Sequence, residues 1–399
     1  MVGASLALAL QDTPLKVMLI EAVPAESAAQ PSFDDRTTAL GNGARRILES
    51  LGVWPQISQG AAAIRSIHVS DAGRFGFARL QSAEHELEAF GYTVSNRHIG
   101  AVLWRALRER ARVELLSPAR VLEVQLANAG AAPAVQLKIA DSLGAERRVA
   151  AALVVAADGA QSLVKQAAGI ASSDSDYQQV AVVANIRSDR AACGIAYERF
   201  AEAGPMALLP LANGSHTIVW TLSAERAQAV QECSPAQFCE LLQCAFGWRA
   251  GRILEVGHRS AYKLALVRAL EPTGERVALI GNAAQALHPI AAQGFNLGLR
   301  DAAVLAELIA PVSDPGAPAV LAQFAARRTA DRRGMIAFTD GLVKLFGDRR
   351  VAAVAARNLG LLLFDVNAPA KRALARLSFG FGAALPRLSR GLPLMPPRS

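Results

Sequence analysis

Three short segments of this chain carry residue types and spacings suited to holding a phosphorylated or electron-rich ligand. The richest is residues 276–301, RVALIGNAAQALHPIAAQGFNLGLRD. An apolar strand ends there at Gly281, with Asn282 after it. A loop follows with His288-Pro289 and Gln293-Gly294-Phe295-Asn296, and the pattern places a helix start near Leu297, with Arg300 and Asp301 behind it. Backbone amides and an Asn at a helix N-terminus suit an anionic ligand. A glycine-rich loop without function is the plain alternative; the ordered succession of strand, glycine, polar loop, Gln-Gly and helix argues against it. The second segment is Val154 to Ser162, an apolar strand running into Asp158-Gly159, with Ser162 placed to cap the next helix. An ordinary turn accounts for that segment equally well.

The third segment is the start of the chain. A dinucleotide site places G-x-G-x-x-G between a strand and a helix: two glycines allow the tight turn and the approach of pyrophosphate, and the third lets helix and strand pack closely. Gly3 stands where the third glycine belongs. Eighteen residues later Glu21 ends the strand KVMLIE, where an acid binds ribose hydroxyls. The expected pattern also has a strand and two earlier glycines ahead of Met1. Alone, this half-motif is met by chance about as often as by design.

These segments need elements to position them. Small apolar residues from Val2 to Leu10 predict a helix packed on a sheet, and residues 40–51 and 99–111 predict amphipathic helices. Residues 64–69 and 74–80 read as two strands around the turn Asp71-Ala72-Gly73, and 112–125 and 134–149 as further strands. AALVVAA at 151–157 suits a strand buried on both faces. Antiparallel patterns return across 179–222 and near 259–268, with a helix at 235–246 between them. Helices dominate from the strand at 276 to about residue 380, and the Pro-rich tail LPRLSRGLPLMPPRS reads as loose. Parallel and antiparallel styles therefore interleave, as when one domain is inserted into another in two pieces.

Composition narrows the class. The chain has 399 residues, 52% hydrophobic and 19% charged, which is the balance of an ordered globular protein. Its net charge of +8 is spread along the chain without a nucleic-acid motif. No apolar run reaches the ~18–20 residues that span a bilayer, and MVGASLALAL lacks the basic start and cleavage site of a signal peptide. Cys193, Cys233, Cys239 and Cys244 show no zinc spacing and read as thiols in a reducing compartment.

Together the three segments resemble the class A flavoprotein aromatic hydroxylases, the para-hydroxybenzoate hydroxylase superfamily, over nearly the whole chain. The nearest likeness is to the ubiquinone-biosynthesis hydroxylases, in particular the 2-polyprenyl-6-methoxyphenol hydroxylases. Phe33-Asp34-Asp35-Arg36-Thr37-Thr38-Ala39-Leu40 looks like their F-D-x-R-x-x-A-L segment, and Tyr197-Glu198-Arg199-Phe200 followed by Gly204 to Pro210 is also typical of them. The resemblance implies a mixed α/β (α+β) fold: a Rossmann-like FAD-binding domain (1–63, 96–175 and 270–345), an inserted antiparallel β-sheet substrate domain (64–95 and 176–269), and a C-terminal helical region with a tail (346–399). It implies FAD contacts from Gly3, Glu21, Arg36, Asp158, Gly281, Asn282, Gln293, Gly294, Asn296 and Leu297, and no metal. The chain departs from the superfamily at Asn282 (usually Asp), Gln285 (usually His) and Ala292 (commonly Gly); the first two changes also occur in the subgroup.

The resemblance further implies the chemistry. NAD(P)H reduces FAD, dioxygen forms a C4a-hydroperoxide, and its distal oxygen attacks the ring of a polyprenyl phenol. FAD carries the hard step, and the protein supplies position and a dry pocket. No catalytic acid or base is certain; His288 and Pro289 are expected near flavin and substrate. Trp220, Met206 and Leu208 are candidates for the pocket floor or for plain core. The basic residues Arg349, Arg350, Lys371, Arg372, Arg376, Arg387 and Arg390, with apolar 361–364 and 377–381 between them, fit a cytoplasmic protein in peripheral contact with the inner membrane, a partner surface in a ubiquinone-biosynthesis complex, or a solvated helix face. A reductase of the same fold and a non-catalytic scaffold of that complex are the competing functions.

Overall fold

The computed structural model describes residues 1–24, 27, 36–109, 112–126, 134–286, 293–348, 350–378 and 385–395, without the side chains of Val343 and 375–378. His288, Pro289 and Ala292 lie outside the described residues, as do Phe33, Asp34 and Asp35.

One body is built around two small parallel sheets. Strand β1 (Val17–Ile20) pairs with β7 (Val113–Leu116), and β11 (Val154–Ala156) pairs with β18 (Val277–Leu279), whose other edge takes the short antiparallel β17 (Thr273–Gly274). The small-residue helix α1 (Val2–Leu10) packs against both. A Cβ on Gly3 would stand 3.1 Å from the Ala157 Cβ and 3.8 Å from Leu19 Cδ1, so glycine permits this close approach of helix to strand. A third small sheet has the order β2 (Thr37–Gly41), β6 (Gly91–Ser95), β3 (Ala62–Ile64). Around these sheets lie α2 (Asn42–Ser50), α3 (Trp54–Ser58), α4 (Asn96–Glu109), α5 (Leu163–Ala167) and α8 (Gln293–Ile309). A meander of β8 (Ala119–Gln125), β9 (Val135–Asp141) and β10 (Glu146–Ala151) flanks them. The run at 134–149 is thus a hairpin. Asp141 makes its turn by accepting hydrogen bonds from the N–H groups of Leu143 (2.8 Å) and Ala145 (2.9 Å).

The second body is an eight-stranded sheet with the order β19-β16-β12-β15-β14-β13-β4-β5. Its members are β4 (Ser66–Asp71), β5 (Phe77–Gln81), β12 (Ser172–Ser188), β13 (Ile195–Ala201), β14 (Gly204–Pro210), β15 (His216–Ser223), β16 (Ile253–Ala269) and β19 (Gln285–Ala286). The two sequence-distant antiparallel pieces join where β13 runs parallel to β4. Helices α6 (Ala224–Glu232) and α7 (Pro235–Phe246) cover one face. Ser234 and Gln237 form a capping box at the start of α7, and Ser223 caps α6, a helix the sequence reading passed over.

Because side chains alternate along a strand, each strand divides its residues between two faces. Val182, Met206, Leu208, Ile218 and Trp220 pack with Phe238, Leu242 and Phe246 of α7. Trp220, Met206 and Leu208 are therefore core, and the neighbours one step along line the cavity described below. Three helices complete the molecule: α9 (Pro318–Gly347), α10 (Val351–Val366) and α11 (Ala368–Ser378).

The tail is not loose where it is described. Residues 387–390 form a helical turn with Leu388 buried; Ser50 Oγ donates to the Leu388 carbonyl (2.7 Å), and the Arg387 N–H donates to Glu307 Oε2 (2.6 Å). The apolar Leu388 within the Pro-rich run supplies the anchor that composition alone hides.

Candidate active site

A large cavity, about 1460 Å³, lies between the two bodies. It exceeds the roughly 300–1,000 Å³ of a typical small-ligand pocket. Its two ends differ in chemistry. One is polar, lined by Glu21, Arg36, Asn96, Asp158, Gly159, Asn282, Gln293, Gly294 and Asn296. The other is largely apolar, framed by the free face of the eight-stranded sheet and by Phe338, Leu342, Phe346, Leu361 and Phe364 from α9 and α10.

All three sequence segments converge on the polar end. Glu21 follows β1 and accepts the Val23 N–H at 3.0 Å, which holds its carboxylate at the strand end. Asp158 and Gly159 follow β11. Asp158 Oδ2 accepts the Leu163 N–H (3.1 Å), Ser162 caps α5 as expected, and Lys165 Nζ donates to the Ala160 carbonyl (2.8 Å) from beneath the turn. Gly159 has φ +89° and open space where a Cβ would be, so glycine serves both the left-handed turn and the cradle.

Gly281 and Asn282 follow β18. The Gly281 N–H donates to Asp301 Oδ2 at 3.1 Å, and Gln285 Nε2 donates to the same oxygen at 2.8 Å. The other oxygen, Oδ1, accepts from Arg328 Nε at 2.7 Å, and Arg328 and Arg300 both engage Asp331. Asp301 and Arg328 are buried. Burial opposes the Arg328 charge, but the two carboxylates beside it hold its pKa above the ordinary value. Gln285 in place of a histidine is thus the amide that completes this network.

Gln293 and Gly294 open α8 and line the cavity, and a Cβ on Gly294 would meet nothing within 4 Å among the described residues. Asn296 does something the sequence reading did not foresee. Its side chain clamps β2, accepting the Gly41 N–H (2.9 Å) and donating to the Ala39 carbonyl (2.8 Å). Leu297 is fully buried beneath the helix start, away from the cavity lining. Arg36 stacks over the Tyr262 ring at 4.6 Å, bridging the polar end to the sheet. Gly3 does not line the cavity; its role is the packing described above.

Sequence reasoning missed the Asp301–Arg328–Asp331 cluster; the adjacent charges Arg300 and Asp301 in an otherwise apolar stretch of α8 were the available sign. It also passed over Glu198 as a site residue. That acid shares a strand face with Ala196 and Phe200 and lines the apolar end of the cavity. Burial alone raises its pKa to about 8. Its side chain is partly exposed to the cavity.

The comparisons with known proteins agree with this geometry. Residues 1–339 match the FAD binding domain family. The chain belongs to that family of flavoproteins. It is 34% identical to the ubiquinone hydroxylase UbiL of Rhodospirillum rubrum over 99% of this chain and 91% of that one. It is 29% identical to the 3-demethoxyubiquinol 3-hydroxylase of Escherichia coli over 95% and 96% of the two chains. In fold it matches the crystal structure of p-nitrophenol 4-monooxygenase PnpA from Pseudomonas putida with a TM-score of 0.78, covering 96% of each chain at 19% identity. The chain is an FAD-dependent oxidoreductase, and its mixed α/β architecture is that of the FAD-dependent monooxygenases.

The residues present fit FAD. A strand-end acid, a left-handed glycine, an amide-bearing strand end and a helix N-terminus surround one end of a cavity with room for a second ligand.

Proposed function

We propose that this enzyme hydroxylates the aromatic ring of a polyprenylated phenol in ubiquinone biosynthesis, with NAD(P)H and dioxygen as cosubstrates. The carrying observation is the two-ended cavity: a polar end suited to FAD opens directly into an apolar end suited to a prenylated ring. In this reading Glu21 binds the adenosine ribose, Asp158-Gly159 serves both FAD and the pyridine nucleotide, Gly281-Asn282 holds the ribityl and pyrophosphate region, and the amides of Gln293 and Gly294 face the flavin ring, with Arg36 alongside. Bound FAD supplies the hydride acceptor and the oxygen-activating centre. The protein orients the phenol, and the apolar wall excludes water that would waste activated oxygen. The substrate body comprises 64–95 and 176–269, the FAD body 1–63, 96–175 and 270–345, and α10 and α11 roof the cavity.

The test is oxygen uptake and NAD(P)H oxidation by the FAD-loaded enzyme on adding a prenylated methoxyphenol, with mass spectrometry of the product. A product heavier by one oxygen atom supports the reading. Hydride consumption with a saturated product and no oxygen uptake would assign the enzyme to the reductases instead, and a protein that retains no flavin yet binds its partners would favour the scaffold.

We also propose peripheral contact with a membrane. Val351, Leu359, Leu363 and Val366 stand exposed on α10, beside exposed Arg350 and Arg372. Lys371 is not part of this face: it is buried and pairs with Glu84 at 3.5 Å and Asp365 at 3.7 Å. Among the described residues no single helix is long and apolar enough to cross a membrane. Sedimentation with anionic vesicles that falls steeply with salt supports this contact; absent or salt-independent binding opposes it.

A further inference from the structure

The face that the eight-stranded sheet turns to the cavity is built from small and apolar residues, among them Val69, Ala181, Val183, Ala196, Ala207 and Val219. Glu198 breaks this pattern. Its strand neighbours in register are Val69 on β4 and Ala207 on β14, neither able to donate a hydrogen bond from its side chain. The arginines nearest in sequence and space are on the other face: Arg199 donates to the Ala245 carbonyl and to Ser70 Oγ, and Arg249 engages His68.

The remaining charged groups of the cavity are committed elsewhere. Arg357 pairs with Asp71, Asp348 with Arg350, Lys344 with Asp340, and Arg36 lies over Tyr262; Glu21 and Asp158 belong to the polar end. Among the described residues Lys263 on β16 completes the set that lines the same space; the phenol of Tyr197 lies on the other face and donates to the Arg249 carbonyl at 3.4 Å. None of these groups influences the Glu198 carboxyl, whose elevated pKa has burial as its sole cause. A carboxyl set among apolar strand neighbours, with no side-chain partner among the described residues, calls for an explanation.

We propose that Glu198 is the acceptor for the phenolic O–H of the substrate ring, holding it at the apolar end of the cavity and drawing its proton as the ring reacts. This rests on the proposed hydroxylase reading and deepens it. The O–H bond of the phenol breaks as an O–H bond to the carboxylate forms. The electron pair left on the ring oxygen raises electron density at the ring positions ortho and para to it. Once the product has regained its aromaticity, the carboxyl returns the proton to that oxygen. A carboxyl that titrates close to working pH is matched to both halves of this exchange.

The test is a binding cycle on the FAD-loaded enzyme, using 2-methoxyphenol and its methyl ether 1,2-dimethoxybenzene as probes and wild type, Glu198→Leu and Glu198→Gln as proteins. A hydrogen bond to an ionised group corresponds to roughly a 10- to 100-fold preference for the phenol over the ether. That preference is expected in wild type at pH 9, smaller at pH 6 where the carboxyl is protonated. It should fall to near unity in Glu198→Leu. Glu198→Gln, a neutral acceptor, should keep part of it and lose its pH dependence. Bound flavin, read by its absorbance, should be unchanged in all three. An equal phenol-to-ether ratio in wild type and Glu198→Leu, with flavin retained, overturns the assignment and leaves the hydroxylase reading standing. Failure of either ring to bind any of the proteins, with flavin retained, overturns both. Should Glu198→Leu not fold, the wild-type pH dependence of the ratio decides: a ratio flat from pH 6 to 9 refutes the proposal.

Discussion

Replacing Asp301 by Ala tests how the Gly281–Asn282 turn is held. Asp301 is wholly buried, and three donors converge on it: the Gly281 N–H, the Gln285 amide and the Arg328 guanidinium. Its removal leaves Arg328 buried with only Asp331 opposite and strips the Gly281 N–H of its acceptor. Breaking one side of a buried ion pair costs about 3–5 kcal/mol, and the unsatisfied N–H falls within that loss rather than adding to it. Asp301→Asn keeps an acceptor oxygen but not the charge, so about half the loss is expected. Equilibrium urea denaturation of FAD-free protein measures this. The exposed pair Arg147–Glu114 at 3.0 Å gives the contrast, since losing a surface pair costs under about 1 kcal/mol. If the turn positions the flavin, Asp301→Asn also weakens FAD by tenfold or more, about 1.4 kcal/mol, and the extra stability conferred by saturating FAD shrinks accordingly. A loss below 1 kcal/mol in Asp301→Ala would refute the claim that the cluster braces the fold. An unchanged FAD affinity in Asp301→Asn would refute the claim that it braces the cofactor end.

Four further outcomes follow from packing and burial. Gly298→Ala places a Cβ 2.8 Å from Val2 Cγ2 and 3.2 Å from the Gly281 Cα, so it should destabilise by about 1–3 kcal/mol; Gly334→Ala, in open space on α9, should stabilise by about 0.5–1 kcal/mol, both read by thermal melting. Asp71 binds Arg357 at 2.8 Å and Asn358 at 3.0 Å, tying α10 to β4, so Asp71→Ala should cost about 3–5 kcal/mol and speed proteolysis of the C-terminal helices. His216 is buried with its pKa lowered by burial to about 4, so the fold holds it neutral while the unfolded chain protonates near pH 6.5. Its contribution is fully present above pH 6.5 and is lost as pH falls toward 4, by roughly 3 kcal/mol at most, and His216→Leu should flatten the acid limb of stability against pH.

Much of the site was legible in the sequence because strand-end motifs are local. Glu21, Asp158-Gly159 and Gly281-Asn282 each end an apolar strand, and parallel strands deliver their ends to one edge, so the residues meet without further information. Asn296 was legible as a site residue but not in its role, since only the folded chain shows β2 lying within its reach. The Arg328–Asp301 pair was illegible for the same reason: the partners are 27 residues apart on two helices whose crossing no periodicity announces. The docking of the tail through Leu388 rests on long-range contacts of that kind.

The cavity itself was written in strand parity, which is also where the cost of Glu198 can be read. On the helix-covered face stand Met206, Leu208, Ile218 and Trp220; on the cavity face stand Ala78, Ala181, Ala196 and Ala207. Large side chains at alternate positions fill one layer and small ones leave the other open, so a one-residue shift in register would close the cavity and expose the core. Into that open layer the fold places a carboxyl that burial holds neutral to about pH 8, where an unfolded chain ionises it near pH 4.5. The sign follows: with a folded pKa above the unfolded one, the fold loses stability relative to the unfolded chain as pH rises from about 4.5 to 8. Glu198→Leu should therefore stabilise the substrate-free enzyme at pH 9, by an amount on the order of 2–4 kcal/mol, and hardly at all at pH 4. Denaturation at the two pH values measures it. A variant equally or less stable at pH 9 would mean that Glu198 already has a partner in the folded chain, and the case for a ligand-directed acid at that position would fail with it.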